Sequence, residues 1–305
     1  MTADKIAKSI GIPQNSEYRV RAGLLYALSS SVDKTGNTYL PKPVLMNQAS
    51  NLLELDIDSN QNLYDEALSS LTLDKTVITM WYHESEIIIP SKYYFYENAV
   101  AQKLTLLNTV QIVNKLNLED EIKHFEERNH ISFHEEQKNA IKNSINSGVS
   151  VITGGPGTGK TTIIKCIIEI LKENNQKFML LAPTGRAAKR MSDSTGEEAK
   201  TIHRALEVAS GDLAKISRFV YNENNTFKTN VVIVDEVSMV DVALMNHLCK
   251  ALPRDCKLIL VGDKDQLPSV GAGNVLTDIL NSGVIKISML TKIFRQSDDS
   301  LIITN

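Results

Sequence analysis

Along the first 130 positions, apolar residues recur near helical spacing in three stretches: Tyr18 to Ser31, Lys42 to Leu55 and Asn62 to Leu71. That period predicts three short helices, each with one apolar face. Two β-prone runs follow, Thr76 to Tyr82 and Ser85 to Pro90. Helices followed by a small two-stranded wing point to a helix-hairpin-helix or winged-helix module. From Tyr94 to Leu116 the apolar residues again recur at three and four, which predicts a long connecting helix. The second half changes character. Apolar runs of five to seven residues, VSVIT, KFMLLAP, NVVIVDE, KLILVGD and VIKISML, alternate with helical segments. Short uninterrupted apolar runs are how strands buried on both faces read, so this half predicts an α/β domain built on a parallel sheet.

The chain has 305 residues, enough for about two compact domains, each able to bury its own core. No stretch approaches the roughly 18 uninterrupted apolar residues of a membrane span, and MTADKIAKSIG lacks the apolar core of a signal peptide. A cytoplasmic protein is expected. Cys166, Cys249 and Cys256 show no CxxC spacing, hence no disulfide framework and no zinc set; burial as small apolar groups is expected. The net charge of −3 divides unevenly: residues 1–130 hold 12 basic and 17 acidic side chains, residues 131–305 hold 21 and 19. A strongly basic coat is thereby excluded, any contact with nucleic acid must be local, and the acidic first half argues against a broad DNA face there.

The chemistry concentrates at the ends of the apolar runs. Directly after VSVIT stands Gly154-Gly155-Pro156-Gly157-Thr158-Gly159-Lys160-Thr161-Thr162, then the helical IIKCIIEILKE. This is GxxxxGK[ST] between a strand and a helix. Glycines let backbone N–H groups turn inward around a phosphate, the helix aims its positive end at it, and Lys160 adds a mobile charge. Thr161 would offer its hydroxyl to Mg²⁺. The run Val231 to Val234 ends in Asp235-Glu236, an arrangement in which the first carboxylate orders Mg²⁺ and the second activates water. With the phosphate loop about 75 residues upstream, the two elements are expected on neighbouring strands. A third strand end runs into Gly262-Asp263-Lys264-Asp265-Gln266, where the neutral amide of Gln266 could meet a γ-phosphate or the attacking water.

Seven blocks in this order resemble superfamily-one DNA helicases, most closely the RecD-like branch that includes the alpha chain of exodeoxyribonuclease V. They are Gln137 within HEEQKNAI, GGPGTGKTT (154–162), APTGRAA (182–188), TIHRAL (201–206), DEVSMVD (235–241), GDKDQLPSVGAG (262–273) and LTKIFRQ (290–296). The resemblance covers about residues 130–305; ADKIAKSIGI and RVRAGLLYAL look like the helix-hairpin-helix region of the longer RecD-like proteins. It implies a P-loop NTPase (RecA-like) domain over 116–305, preceded by a mainly helical accessory module over 1–115 through which protein partners could dock. It further implies an inserted hairpin at about 207–229, where the β-prone run Ile216 to Tyr221 is followed by the turn Asn-Glu-Asn-Asn. Such a hairpin would act as a strand-separation pin.

The resemblance also implies roles. ATP would be held by Gly155, Pro156, Gly157, Thr158, Gly159, Lys160, Thr161 and Thr162, with Gln137 reading the adenine edge and Phe133 stacking nearby. Thr161 and Asp235 would hold Mg, Glu236 would be the base, and Gln266 and Arg295 would approach the γ-phosphate. Single-stranded DNA would lie along Pro183, Thr184 and Arg186, and along Thr201, His203 and Arg204, donors suited to gripping phosphates without reading sequence. These implications describe an ATP-dependent DNA helicase of recombination or repair, 5′ to 3′ if the family polarity holds. The family uses two RecA-like domains; the second is absent before Asn305, so the chain is expected to be a fragment that binds nucleotide with little turnover. Two other readings stay open: an RNA helicase or RNA–protein remodeller of the same superfamily, and a nucleotide-binding subunit without catalysis.

Overall fold

Every residue of Val231–Val234 is buried, as are most of Val149–Gly154 and Lys257–Gly262, because β-branched and leucine side chains on these runs find helices on both sides of one sheet. The computed structural model describes residues 9–110, 117–210 and 218–294. By contacts these divide into two units, one of residues 1–98 with 270–273 and the other of residues 99–269 with 274–305.

The first unit contains α1 (Glu17–Thr35), β1 (Leu40–Pro41), α2 (Lys42–Leu53), α3 (Gln61–Leu73), β2 (Val77–Tyr82) and β3 (Ser85–Pro90). Ser16 caps α1 by accepting from Arg19 N, and Gly36 ends it in the left-handed region at φ 72°. The strands form an antiparallel sheet in the order β1-β3-β2, with Leu40 opposite Ile88 and Tyr82 opposite Ser85. The two residues between β2 and β3, His83 and Glu84, both have positive φ, as a tight hairpin turn matched to strand twist requires. Helix, strand, two helices and a two-stranded wing, with the last strand central, is the winged-helix order. The two-residue β1 was not foreseen. A core of Val20, Leu24, Leu28, Leu45, Tyr64, Leu71 and Ile88 holds the unit together.

Helix α4 (Ser91–Asn108) begins where a connecting helix was expected, and the residues 111–116 of that expectation lie outside the described ones. The second unit continues with α5 (Leu118–Asn129), α6 (Glu135–Asn146), β4 (Val149–Gly154), α7 (Lys160–Glu173), β5 (Phe178–Ala182), α8 (Gly185–Thr195), β6 (Ala199–Thr201) and α9 (Ile202–Leu206). It ends with β7 (Val231–Val234), α10 (Val242–Ala251), β8 (Lys257–Gly262), α11 (Val275–Ser282) and β9 (Lys286–Leu290). All six strands are parallel, in the order β6-β5-β7-β8-β4-β9. This is the P-loop α/β architecture that the apolar runs predict, plus a short edge strand, β6, that they do not reveal. The expectation that the Asp235 strand adjoins the phosphate-loop strand is corrected: β8 lies between β7 and β4. At about 4.8 Å per strand the two sites stand roughly 10 Å apart across the sheet.

The three cysteines are buried and free, and burial pushes each thiol up to about 12. Among the described residues no helix is long and apolar enough to cross a membrane.

Of the expected hairpin, residues 211–217 lie outside the described ones. The remainder pairs differently from the expectation. Ala209 N donates to Arg218 O (3.0 Å) and Val220 N to Glu207 O (2.9 Å), so the β-prone run pairs backwards with 207–209. Asn222 to Asn225 closes a separate tight turn on itself. The aromatic rings of Phe219 and Tyr221, set against His247 and Phe227, supply the reason: they pack inward and draw the run back onto the domain.

Ile233 in β7 has no exposed surface. Its replacement by Ala should cost about 2–5 kcal/mol in urea denaturation, whereas Val208→Ala, 71% exposed, should stay within about 0.5 kcal/mol of the parent.

Candidate active site

Helices α7 and α8 start a few residues beyond the carboxyl end of a parallel strand and α9 directly after one, which gathers their N-termini at one edge of the sheet. At the end of β4 the loop Gly155–Gly159 turns into α7. Gly159 caps the helix at φ 85°, and a Cβ there would collide with the Gln137 side chain. The first intrahelical bond runs from Ile163 N to Gly159 O, so the N–H groups of Lys160, Thr161 and Thr162 precede any helical acceptor. Thr158 is buried and donates its hydroxyl to Gly155 O at 2.8 Å, fixing the loop from within. Lys160 Nζ folds onto the loop, donating to Gly154 O (2.5 Å) and Gly155 O (3.0 Å). Pro156, Gly157 and Thr161 are exposed. Such a set of donors suits a polyphosphate.

Gln137, 5% exposed, touches the loop directly. Its Oε1 accepts from His134 N (2.9 Å), closing the first turn of α6, and its Nε2 donates to Thr158 O (3.1 Å). Phe133, expected to stack beside it, lies before the helix in the core, stacked on Phe125 with centroids 5.6 Å apart. The rings next to the loop are His134 and Phe294, with centroids 6.3 Å apart. The segment Thr291 to Phe294, following β9, reaches this point. Phe294 N donates to Gly157 O at 2.7 Å, and Thr291 donates its N–H (2.8 Å) and its hydroxyl (2.7 Å) to the Glu136 carboxylate. Sequence reasoning passed over Glu136, although its place beside Gln137 was a signal. Arg295 lies outside the described residues.

Asp235 leaves β7 with its N–H donating to Leu181 O (2.9 Å), while its Oδ1 accepts from Glu236 N (2.9 Å). Burial raises its carboxyl above the ordinary value; the neighbouring Glu236 charge adds to this, and the Glu236 N–H, Lys160 and Arg190 oppose it. Glu236 adopts the left-handed region at φ 54°, and its Oε1 faces Arg190 Nη1 of α8 at 3.5 Å. Beyond β8, Lys264 N donates to Thr153 Oγ1 (3.2 Å), Asp265 N to Asp263 Oδ1 (3.0 Å) and Gln266 N to Asp263 O (3.3 Å). The loop is thus pinned to β4 while the Gln266 side chain stays exposed.

Two adjoining strand ends carry the remaining residues. Ala182 of β5 is in register with Thr201 of β6, which sets Pro183, Thr184 and Arg186 beside Thr201, His203 and Arg204. Thr184 Oγ1 accepts from Ala187 N (3.2 Å) and Thr201 Oγ1 from Arg204 N (3.1 Å), so each hydroxyl caps its helix and keeps a proton to donate. Arg186, His203 and Arg204 are exposed. The His203 ring lies 6.1 Å from that of Phe219.

Comparison with known proteins adds a lineage. A family model described as AAA domain matches residues 137–272, and one described as ATP-dependent RecD2 DNA helicase HHH domain matches residues 1–39. The chain is 35% identical over 181 residues to the RecBCD enzyme subunit RecD of Mycobacterium tuberculosis, covering 53% of this chain and 32% of the relative. It is 30% identical over 315 residues to the ATP-dependent RecD2 DNA helicase of Deinococcus radiodurans, covering 99% and 42% respectively. The crystal structure of Pif1 helicase from Candida albicans is 26% identical, covers 57% of this chain and 43% of that one, and gives a TM-score of 0.44. The chain spans less than half the length of these relatives. Its two family models and its alignment along almost its whole length with a RecD2 helicase give the chain a RecD-like lineage.

Proposed function

We propose that this chain is the nucleotide-binding motor segment of an ATP-dependent DNA helicase, acting on single-stranded DNA in recombination or repair, in the cytoplasm, with 5′ to 3′ polarity. One observation carries the reading. The lysine loop, the Asp235-Glu236 pair, the Gln266 loop and two threonine-capped helix starts all leave the carboxyl edge of one parallel sheet. The names of the relatives, RecD and RecD2 DNA helicase, support DNA as the track. The acidic accessory unit is the part we assign to protein partners.

Within that reading, the loop N–H groups and Lys160 hold the triphosphate of ATP. Lys160 exchanges its two carbonyl acceptors for phosphate oxygens. Gln137 meets the adenine edge, and Glu236 accepts the proton of the attacking water, which Gln266 helps to orient. Arg295, the residue after Phe294, is assigned to the γ-phosphate from its place in the sequence alone. A magnesium ion fits this donor set. Among the described residues no group of three metal-ligating side chains comes together, but Mg²⁺ is commonly held by one or two carboxylates plus substrate phosphates. Asp235, whose burial disfavours its own charge without a cation, and the Thr161 hydroxyl would hold it. When bound, the ion neutralises charge on the β- and γ-phosphate oxygens. Pro183, Thr184, Arg186, Thr201, His203 and Arg204 are assigned to the DNA backbone, whose phosphates suit hydroxyl and guanidinium donors.

Lys160→Ala should weaken binding of a fluorescent ATP analogue by about 2 kcal/mol or more, roughly thirtyfold. Unchanged binding would remove the phosphate-loop assignment.

Asp235→Asn tests the metal assignment from both sides. The folded carboxyl titrates above its unfolded value, so its charge costs stability above the folded pKa, and that cost disappears as pH falls below the unfolded value near 4. Without nucleotide, the variant should melt higher than the parent at pH 7 and lose this advantage at about pH 3, while its Mg-dependent gain in nucleotide affinity disappears. Calorimetry and a magnesium titration read the two effects.

Arg186→Ala and Arg204→Ala should each lower the slope of log affinity for oligo-dT against log salt by about 0.7, one phosphate contact apiece. Fluorescence anisotropy measures this, and an unaltered slope would move the DNA to another face.

A further inference from the structure

Three segments that are distant in sequence meet beside the phosphate loop, and hydrogen bonds close them into a ring. Glu136 receives both donors of Thr291, at 2.8 and 2.7 Å. The chain then runs to Phe294, whose N–H donates to Gly157 O at 2.7 Å. From Gly157 the chain passes to Thr158, whose carbonyl accepts from Gln137 Nε2 at 3.1 Å, and Gln137 adjoins Glu136. The three segments differ in how firmly they are otherwise held. Gly157 has φ 79° in an exposed loop, and residues 291–294 are exposed after leaving the sheet. Only the first turn of α6 belongs to a regular element, and its charged member is Glu136.

Carboxylate acceptors make the stronger hydrogen bonds, and two parallel donors on one residue define direction as well as distance. The donors also hold the Glu136 carboxyl below the usual carboxylate range, led by the Thr291 hydroxyl. The bonds of the Gln137 amide go to His134 N and Thr158 O, and the donors of Thr291 go to Glu136.

We propose that Glu136 is a positioning residue: it clasps the segment 291–294 across the phosphate loop, so that the Phe294–His134 side of the site is in place before nucleotide arrives and favours adenine over other bases. The proposal rests on the reading that the loop binds ATP. Glu136 acts through Thr291 and the Lys292 backbone.

The test uses this chain with ATP and GTP as probes, each displacing a fluorescent nucleotide, alongside backbone hydrogen exchange of the peptide containing residues 291–294. E136A should bind ATP roughly tenfold more weakly, lose most of the preference of ATP over GTP, and exchange faster at 291–294 in the absence of nucleotide. E136Q, which keeps one acceptor oxygen, should fall between E136A and the parent. T291V, which keeps its backbone donor, should show a smaller loss of the same kind. K160A separates the two levels of the argument. If the parent binds neither nucleotide, or K160A binds like the parent, the ATP reading fails and this proposal falls with it. If K160A abolishes binding while E136A keeps the parent's affinity and preference, the clasp alone is overturned. A parallel loss of ATP and GTP in E136A, with a lowered melting temperature, would assign Glu136 a purely structural part and equally overturn it.

Discussion

A parallel strand can meet its neighbour only after the chain has crossed back over the sheet. In the second unit those crossings are mostly helices, which bury both faces. Every strand therefore points the same way, and every strand-to-helix turn falls at one edge. Backbone N–H groups at helix starts and carboxylates at strand ends are brought to that edge by topology, and side-chain contacts such as Lys264 N to Thr153 Oγ1 then fix them there. Burial of Val231–Val234 and its neighbours on both faces is thus a condition for the site as well as for stability.

Within that frame the loop relies on few tethers, and polar groups serve twice. Thr158 closes the loop by bonding its own chain, and its carbonyl receives Gln137. Gln137 meanwhile completes the first turn of α6. Thr184 and Thr201 begin their helices with the same hydroxyls that face outward from the sheet edge. Alanine at either threonine would remove a helix cap together with a surface donor, and loss of the cap alone costs about 0.5–2 kcal/mol.

Much of this could be read from sequence because the signals are short-range. The five apolar runs became five of the six parallel strands, the wing hairpin formed with the expected residues, and GPGTGKTT lies where its glycines require it. What escaped depends on contacts that local pattern does not encode. Leu40–Pro41 and Ala199–Thr201 are too short to show a period, yet each is held by a neighbouring strand. The order of strands is set by how the crossings pack, so β8 between β4 and β7 could not be derived from the spacing of motifs. Phe133 has the composition of a stacking residue but sits one position before the N-cap His134, which turns it into the core. The run after residue 216 has strand propensity either way; Phe219 and Tyr221 decide the partner by packing inward. Glu136 resembled ordinary helix polarity because Thr291 is 155 residues away.

Lys160 donates to two carbonyl oxygens of its own loop. Any anion that draws it away must replace both acceptors, so the lysine contributes only the difference between new and old partners. A weakly charged ion gives little beyond what the loop supplies to itself. A chain of phosphates, reaching the lysine and the helix start together, offers much more. On the ATP-binding reading proposed above, the loop would discriminate anions by charge and length before any base is met, and stray monovalent ions would compete poorly for it.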